Sequence, residues 1–501
     1  MKQYEMFELT YQAEPPSGSF VDVDLETVFA CGGITKRVKG FYAGNGEYKI
    51  RFLPEKTGRV TWDVAGAVTD HGEEECMPAD GAHGMVKAVE THFEYQDGTY
   101  FYPFGTTIYA LAHQSPELID TTMGSLSKAP FNKVRHCVFP KHYDYNHNEP
   151  EFYPFEKKED GSWDVDRPCF AYWDHMEEVL GRLAGMGIES DLILFHPYDR
   201  WGFASMGRRE NLTYLDYLLR RFSALPYVWW SLANEYDLCF KKTLEEWYEI
   251  EEYVHGHDPF GHLLSNHNCI LYYDFTRPNI THCCVQTAAM HNASKWMEKY
   301  KKPVVFDECC YEGDIEFAWG NISGFEMVKR FWKGCTQGAY VTHGETFFSE
   351  DEILWWSRGG ALKGESAPRI AYLRELIEGL PSPLTPWREN IFEDFEQSEQ
   401  DTAGGFWKLL SSQKPEDAAD LAWKDEQYGG RCGDEVFLKY LGNQACRIAV
   451  IHLPKDSGQF KVEVIDSWNM ERRVAAEAAS GNVRVKLDGK EGIAILATRI
   501  C

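Results

Sequence analysis

Between about residue 97 and residue 380, short apolar runs alternate with longer amphipathic stretches. Eight runs have the length and content of buried strands: Tyr102–Thr106, Lys133–Phe139, Glu189–Phe195, Tyr227–Leu232, His262–Ser265, Ile280–Val285, Pro303–Asp307 and Ala339–His343. Stretches such as Tyr172–Met186, Tyr214–Ala224, Leu244–His255 and Ala293–Tyr300 lie between them with helical spacing. Parallel strands need a long crossover, usually a helix. Eight such units in roughly 280 residues predict a (β/α)8 TIM barrel, which typically takes about 250. A doubly wound open sheet would satisfy the same alternation. No Gly-rich phosphate loop follows the first run, which counts against a nucleotide-binding sheet.

The chain has 501 residues, too many for one core. Its flanks have the texture of β structure. Phe20–Leu25 alternates at period two, and Val38–Tyr42, Tyr48–Phe52 and Gly58–Val64 read as strands separated by Gly-rich turns. Leu380–Pro386, with three prolines, reads as a linker. Beyond it Glu435–Tyr440, Arg447–His452, Gln459–Ile465, Val483–Leu487 and Gly492–Thr498 read as strands. The expected order is an Ig- or fibronectin-like β-sandwich over 1–92, the barrel over 93–382 and a second β-sandwich over 388–501.

The net charge of −27 repels phosphate backbones and anionic lipid, so neither nucleic acid nor membrane is an expected partner. A homo-oligomer stays open. Met1–Thr10 lacks the basic start and apolar run of a signal peptide, and no stretch approaches about 18 apolar residues. The 14 cysteines include the adjacent pairs Cys283-Cys284 and Cys309-Cys310 inside apolar runs, as for buried thiols in a reducing compartment. A cytoplasmic location is expected. Aromatic residues make up 15% of the chain, enough for a sugar-stacking surface and equally for large cores.

Two runs end in an acid. Val228-Trp229-Trp230-Ser231-Leu232-Ala233 runs into Asn234-Glu235 at the fourth position. Lys302-Pro303-Val304-Val305-Phe306-Asp307 runs into Glu308 at the seventh. Strand C-termini form the active face of a barrel, so these carboxyls would face each other across its mouth. Cleaving a glycosidic bond by double displacement needs such a pair, about 5–5.5 Å apart: one acid/base and one nucleophile. Glu235 is the expected acid/base and Glu308 the expected nucleophile. An Asn-Glu pair also suits a helix N-cap and first turn, and Glu308 also suits a solvated loop. Asp307 competes with Glu308, and Glu345, after the eighth run, is a third acid able to bind substrate or act as nucleophile.

Other strand ends supply candidates for substrate binding. Arg135 and His136 lie on the second run, Tyr109 after the first, and His196 and Tyr198 after the third. His267 follows the fifth run, His343 ends the eighth, and Trp355-Trp356 lies in the loop beyond it. Arg135 would hold a nucleophile ionised or serve a buried ion pair. Trp355-Trp356 would stack on sugar or pack on the rim. No zinc-spaced His or Cys pairs and no Gly-x-Ser-x-Gly elbow occur, so no metal and no cofactor are expected. A metal-dependent amidohydrolase would bring His196, His267, His343 and Asp199 together, but Thr106-Thr107 stands where its first-strand His-x-His belongs. A non-catalytic carbohydrate-binding barrel would keep the aromatics without opposed carboxyls.

At these positions the chain resembles the clan A glycoside hydrolases. That resemblance implies a retaining barrel with Asn234-Glu235 ending strand four, the nucleophile Glu308 ending strand seven and Arg135 supporting it. More narrowly, the chain resembles apiosidase-like barrels with a β-sandwich on either side. Gly40–Phe52 is similar to their N-terminal module, and Tyr102-Pro103-Phe104-Gly105-Thr106-Thr107 to their first barrel strand. The expected activity is hydrolysis of O-glycosyl bonds in plant-derived oligosaccharides or glycosides.

Overall fold

The eight runs join one sheet in the computed structural model, which describes residues 1–389, 405, 408–409, 412–414, 428–454 and 458–500. Barrel strands one to eight are Phe104–Thr107, Lys133–Cys137, Glu189–Phe195, Val228–Ala233, Leu264–Ser265, Cys283–Gln286, Val304–Glu308 and Tyr340–His343. Their order is five-four-three-two-one-eight-seven-six. Pairing is parallel, with Thr107 opposite Arg135, Arg135 opposite Asp191 and Asp191 opposite Trp229. Thr281 bridges the seam between strands five and six. Its amide donates to the Leu264 carbonyl at 2.9 Å, and its hydroxyl accepts the Leu264 amide at 2.9 Å. The sheet is thus a nearly closed TIM barrel, with strands buried on both faces, as parallel strands under helices are.

By contacts the chain divides into two compact units. The first comprises Met1–Thr287, Tyr300–Ile322 and Thr342–Gly364. Its N-terminal part has a three-stranded sheet (Phe7–Gln12, Glu47–Phe52, Phe41–Gly44) and a four-stranded one (Ile34–Lys39, Leu25–Cys31, Gly58–Gly66, Asp70–Cys76). They share a core in which Phe29 stacks on Phe52 with ring centres 4.2 Å apart.

Two expected strands change here. The Phe20–Leu25 alternation becomes a turn, because the Ser19 hydroxyl accepts the amides of Val21 and Asp22 at 3.1 Å, and the strand starts only at Leu25. The Val38–Tyr42 run breaks at Gly40, where a Cβ would stand 2.4 Å from Leu25 Cδ2.

The second unit comprises Ala288–Lys299, Ser323–Val341 and Glu365–Cys501. Its six-stranded sheet runs Thr385–Pro386, Tyr428–Cys432, Val436–Tyr440, Ile493–Arg499, Phe460–Asp466, Glu471–Ala479, and a separate pair joins Ile448–His452 to Asn482–Lys486. Phe437, Ile451, Phe460, Val485 and Ile495 form the core between them. The expected linker is tethered, since Thr385 and Pro386 pair with Arg431 and Gly430. Part of the span expected to form this sandwich, residues 390–404 and 415–427, lies outside the described residues. Among the described residues no two cysteines form a disulfide, and no helix is long and apolar enough to cross a membrane.

Candidate active site

Side chains alternate along a strand, so Lys133 and Arg135 point into the barrel and His136 points the other way. Inside, Lys133 Nζ lies 2.7 Å from Asp191 and 2.6 Å from Asp307. Asp307 also accepts hydrogen bonds from Thr342 Oγ1 at 2.8 Å and Cys284 Sγ at 2.8 Å. Burial alone would raise the Asp307 carboxyl, but Lys133 and Arg135 hold it well below the usual carboxylate range. Asp307 is therefore spent on the barrel interior, and the next residue, Glu308, ends the strand at the mouth.

Strand four turns sharply as it ends. Glu235 has φ 53°, a left-handed backbone that costs a non-glycine residue about 1–3 kcal/mol. Three bonds hold the turn. The Asn234 amide donates to the Phe195 carbonyl at 2.9 Å, the Glu235 amide to His267 Nδ1 at 3.3 Å and the Tyr236 amide to the His267 carbonyl at 2.9 Å. His267, fully buried and held well below its ordinary pKa by burial, thus works as a neutral acceptor. Past strand seven, Cys310 has φ 65°, so both acid-bearing strands end in the same kind of bend.

A line of polar side chains connects the two glutamates. At one end the Tyr311 hydroxyl is near enough to the Glu308 carboxyl to favour its ionised form. That hydroxyl lies 3.3 Å from the Tyr109 hydroxyl, which donates to Asn234 Oδ1 at 2.9 Å. Arg135 Nη2 donates to the same oxygen at 3.0 Å, fixing the amide so that Asn234 Nδ2 donates to Glu235 at 3.3 Å. The Tyr198 hydroxyl also donates to Glu235. The other hydrogen bonds of Arg135 go to Ser231 Oγ at 3.0 Å and the Cys284 thiol at 4.0 Å, so its hold on the site runs through Asn234 and not directly to Glu308.

Burial pushes the Glu308 carboxyl up to about 8, with Tyr311 lowering it only in part. Lys141, 3% exposed, is pushed down to about 8 by burial. Its ammonium sits over aromatic faces, 3.6 Å from the ring centre of Tyr109, 4.4 Å from Tyr198 and 4.8 Å from Trp356. Tyr109, Tyr311 and Trp356 cluster with Tyr143, Tyr145 and Trp319, forming an aromatic wall beside the glutamates.

Of the expected residues, Glu235, Glu308, Arg135, Asn234, Tyr109, Tyr198, His267 and Trp356 come together. The others do not. His136 is buried on the outward face of strand two without a hydrogen-bond partner, and burial takes it down to about 4. His196 Nε2 bonds the Phe139 carbonyl at 3.1 Å. Trp355 is buried and donates to Thr106 Oγ1 at 2.8 Å. His343 and Glu345 lie with Glu312, and among the described residues that trio alone has the spacing of metal ligands. The histidines of an amidohydrolase centre thus go to three different partners. Lys141, Tyr143, Tyr311 and Trp319 were not among the expected residues. Tyr311, three positions after Glu308, carried the one usable signal.

A model described as "Apiosidase-like, catalytic domain" matches residues 88–396, and two domains of unknown function, DUF5060 and DUF5605, match residues 1–66 and 423–498. The chain is similar to a candidate glycoside hydrolase of Bacteroides vulgatus ATCC 8482, at 32% identity and TM-score 0.87 over 100% of this chain and 99% of that one. A glycoside hydrolase family 5 structure from the same organism has 16% identity and TM-score 0.60 over 83% of this chain and 94% of that one, a likeness of fold. No curated protein matches.

Proposed function

The chain belongs to the apiosidase-like catalytic domain family and is a glycosidase, and from that premise we propose that it cleaves O-glycosyl bonds by double displacement at Glu235 and Glu308. The carboxylate of Glu308 attacks the anomeric carbon while Glu235 gives its proton to the leaving oxygen. Glu235 then takes a proton from water, whose oxygen displaces Glu308 and releases the sugar with its original anomeric configuration. The observation that carries this proposal is the line Glu308–Tyr311–Tyr109–Asn234–Glu235, which ties the two carboxyls to one set of hydroxyls beside the aromatic wall. The wall suits the apolar face of a sugar ring. Buried cysteines with no disulfide among the described residues suit a reducing compartment, so we place the enzyme in the cytoplasm, acting on oligosaccharides or small glycosides.

The elevated Glu308 carboxyl favours a second assignment, with Glu308 as acid and Glu235 as nucleophile. The pH dependence of kcat/KM separates the two. A nucleophile must be ionised, so with Glu308 in that role activity is lost as pH falls through about 8. With Glu308 as acid, activity is lost as pH rises through about 8.

Activity is first sought on a panel of nitrophenyl glycosides and oligosaccharides. On the substrate that responds, Glu235→Ala and Glu308→Ala should each lose at least about 10³-fold in kcat while staying folded. NMR of the first-formed product should show retention. Inversion, or full turnover in both variants, would refute the mechanism.

A further inference from the structure

A second group of ionisable side chains lies beyond the ends of strands seven and eight. There Glu312-Gly313 pairs in parallel with Glu345-Thr346. Glu312, His343 and Glu345 are 2%, 0% and 1% exposed, and one ligand-type atom from each lies within 4.8 Å of the others.

The imidazole of His343 is fixed on every side but one. Phe131 stacks on it, ring centres 4.6 Å apart. Nδ1 is 3.0 Å from Thr106 Oγ1, which also receives the Trp355 indole N–H at 2.8 Å. Nε2 has no hydrogen-bond partner and faces Glu345 Oε1, also without one, at 3.6 Å. The other Glu345 oxygen accepts the Lys363 amide at 2.8 Å. The chain then crosses Glu312 so closely that a Cβ on Gly364 would stand 2.5 Å from its carboxylate oxygen.

Burying His343 Nε2 and Glu345 Oε1 face to face without a hydrogen-bond partner for either leaves two desolvated polar atoms uncompensated. A cation between them supplies what is missing. A histidine ligand usually hydrogen-bonds through its second ring nitrogen, as Nδ1 does here. Ligand atoms about 2.1 Å from one ion can stand up to about 4.2 Å apart, so small side-chain rotations close the observed spacing.

We propose that Glu312, His343 and Glu345 bind a divalent transition-metal ion of the Zn²⁺ or Mn²⁺ type. An imidazole with two carboxylates suits such ions better than Mg²⁺ or Ca²⁺, which prefer oxygen ligands alone. The ion serves as a clamp. Glu312 adjoins Tyr311, whose hydroxyl lowers the Glu308 carboxyl, and Thr106 links His343 to the Trp355-Trp356 turn. This role does not depend on the assignment of Glu235 and Glu308.

The test uses the full untagged chain, stripped with chelator and dialysed. Titration with Zn²⁺ and, separately, Mn²⁺ should show one tight equivalent for at least one ion, with a rise of several degrees in Tm. His343→Ala and Glu345→Gln should each abolish that equivalent and the rise. X-ray absorption of the Zn²⁺ form should report nitrogen and oxygen neighbours without sulfur, separating this site from the cysteines. If the variants do not fold, the stripped wild-type chain and its absorption spectrum decide. No tight equivalent of either ion, equal uptake by the folded variants, or sulfur ligation would overturn the proposal.

Discussion

Asp307 and Glu308 are neighbours on one strand, yet their surroundings are opposite. Asp307 sits in the barrel interior with Lys133, Thr342 and Cys284 on its oxygens, and its charge is compensated. Glu308 sits at the mouth with the Tyr311 hydroxyl and no salt bridge, and burial pushes its carboxyl up to about 8. Lys141 is the cationic counterpart of Glu308, buried among aromatic faces and pushed down to about 8. The same contrast separates the lysines, because Lys133 is locked between two aspartates. Where the chain pairs its buried charges it builds structure. Where it leaves them under-compensated it keeps groups that change protonation near neutral pH, as acid/base chemistry needs.

Single substitutions can break that contrast. Lys133→Met leaves Asp191 and Asp307 buried without their shared cation. It should cost about 3–5 kcal/mol, read as a large fall in Tm. An unchanged Tm would mean that the interior network is not structural.

Tyr311→Phe has a smaller expected effect and sharpens the other side. It removes the hydroxyl that lowers the Glu308 carboxyl, so the kcat/KM limb assigned to Glu308 should move to higher pH, with a loss of roughly 10-fold to 100-fold at neutral pH. A limb that stays in place would detach Tyr311 from Glu308.

Lys141→Met should have the smallest effect, a loss of about 10-fold in kcat/KM with Tm unchanged or slightly raised, since an unpaired buried cation is removed. A collapse in Tm would place Lys141 with Lys133 among the structural charges.

The barrel was legible because its signal is local. Short apolar runs and helical spacing follow from burial on two faces, and the strand Glu189–Phe195 and the helix Ala293–Tyr300 match the expected spans. Glu235 and Glu308 were legible for a related reason, since an acid straight after a buried strand has few places to go but the mouth. The misses have the opposite character. Lys141 lies in a loop, and three rings from distant segments give it meaning. His343 and Glu345 were visible at strand eight, but their grouping with Glu312 needs the parallel pairing of two short segments. His136 shows a limit of residue type, because it adjoins Arg135 yet faces away from the mouth. In the flanks, Tyr428–Cys432 was missed because two central glycines hide its strand character, and Glu471–Ala479 because it is mostly exposed and its alanines lack the β-branched or aromatic content of a strand.

Trapping the glycosyl-enzyme identifies the nucleophile. A 2-deoxy-2-fluoro glycoside of the responsive sugar, bearing a good leaving group, slows breakdown of the intermediate more than its formation. Mass spectrometry of the digested enzyme should then find the sugar on Glu308, with labelling abolished in Glu308→Gln. Sugar on Glu235 or Glu345, or turnover of the responsive glycoside to an inverted product without any adduct, would contradict it.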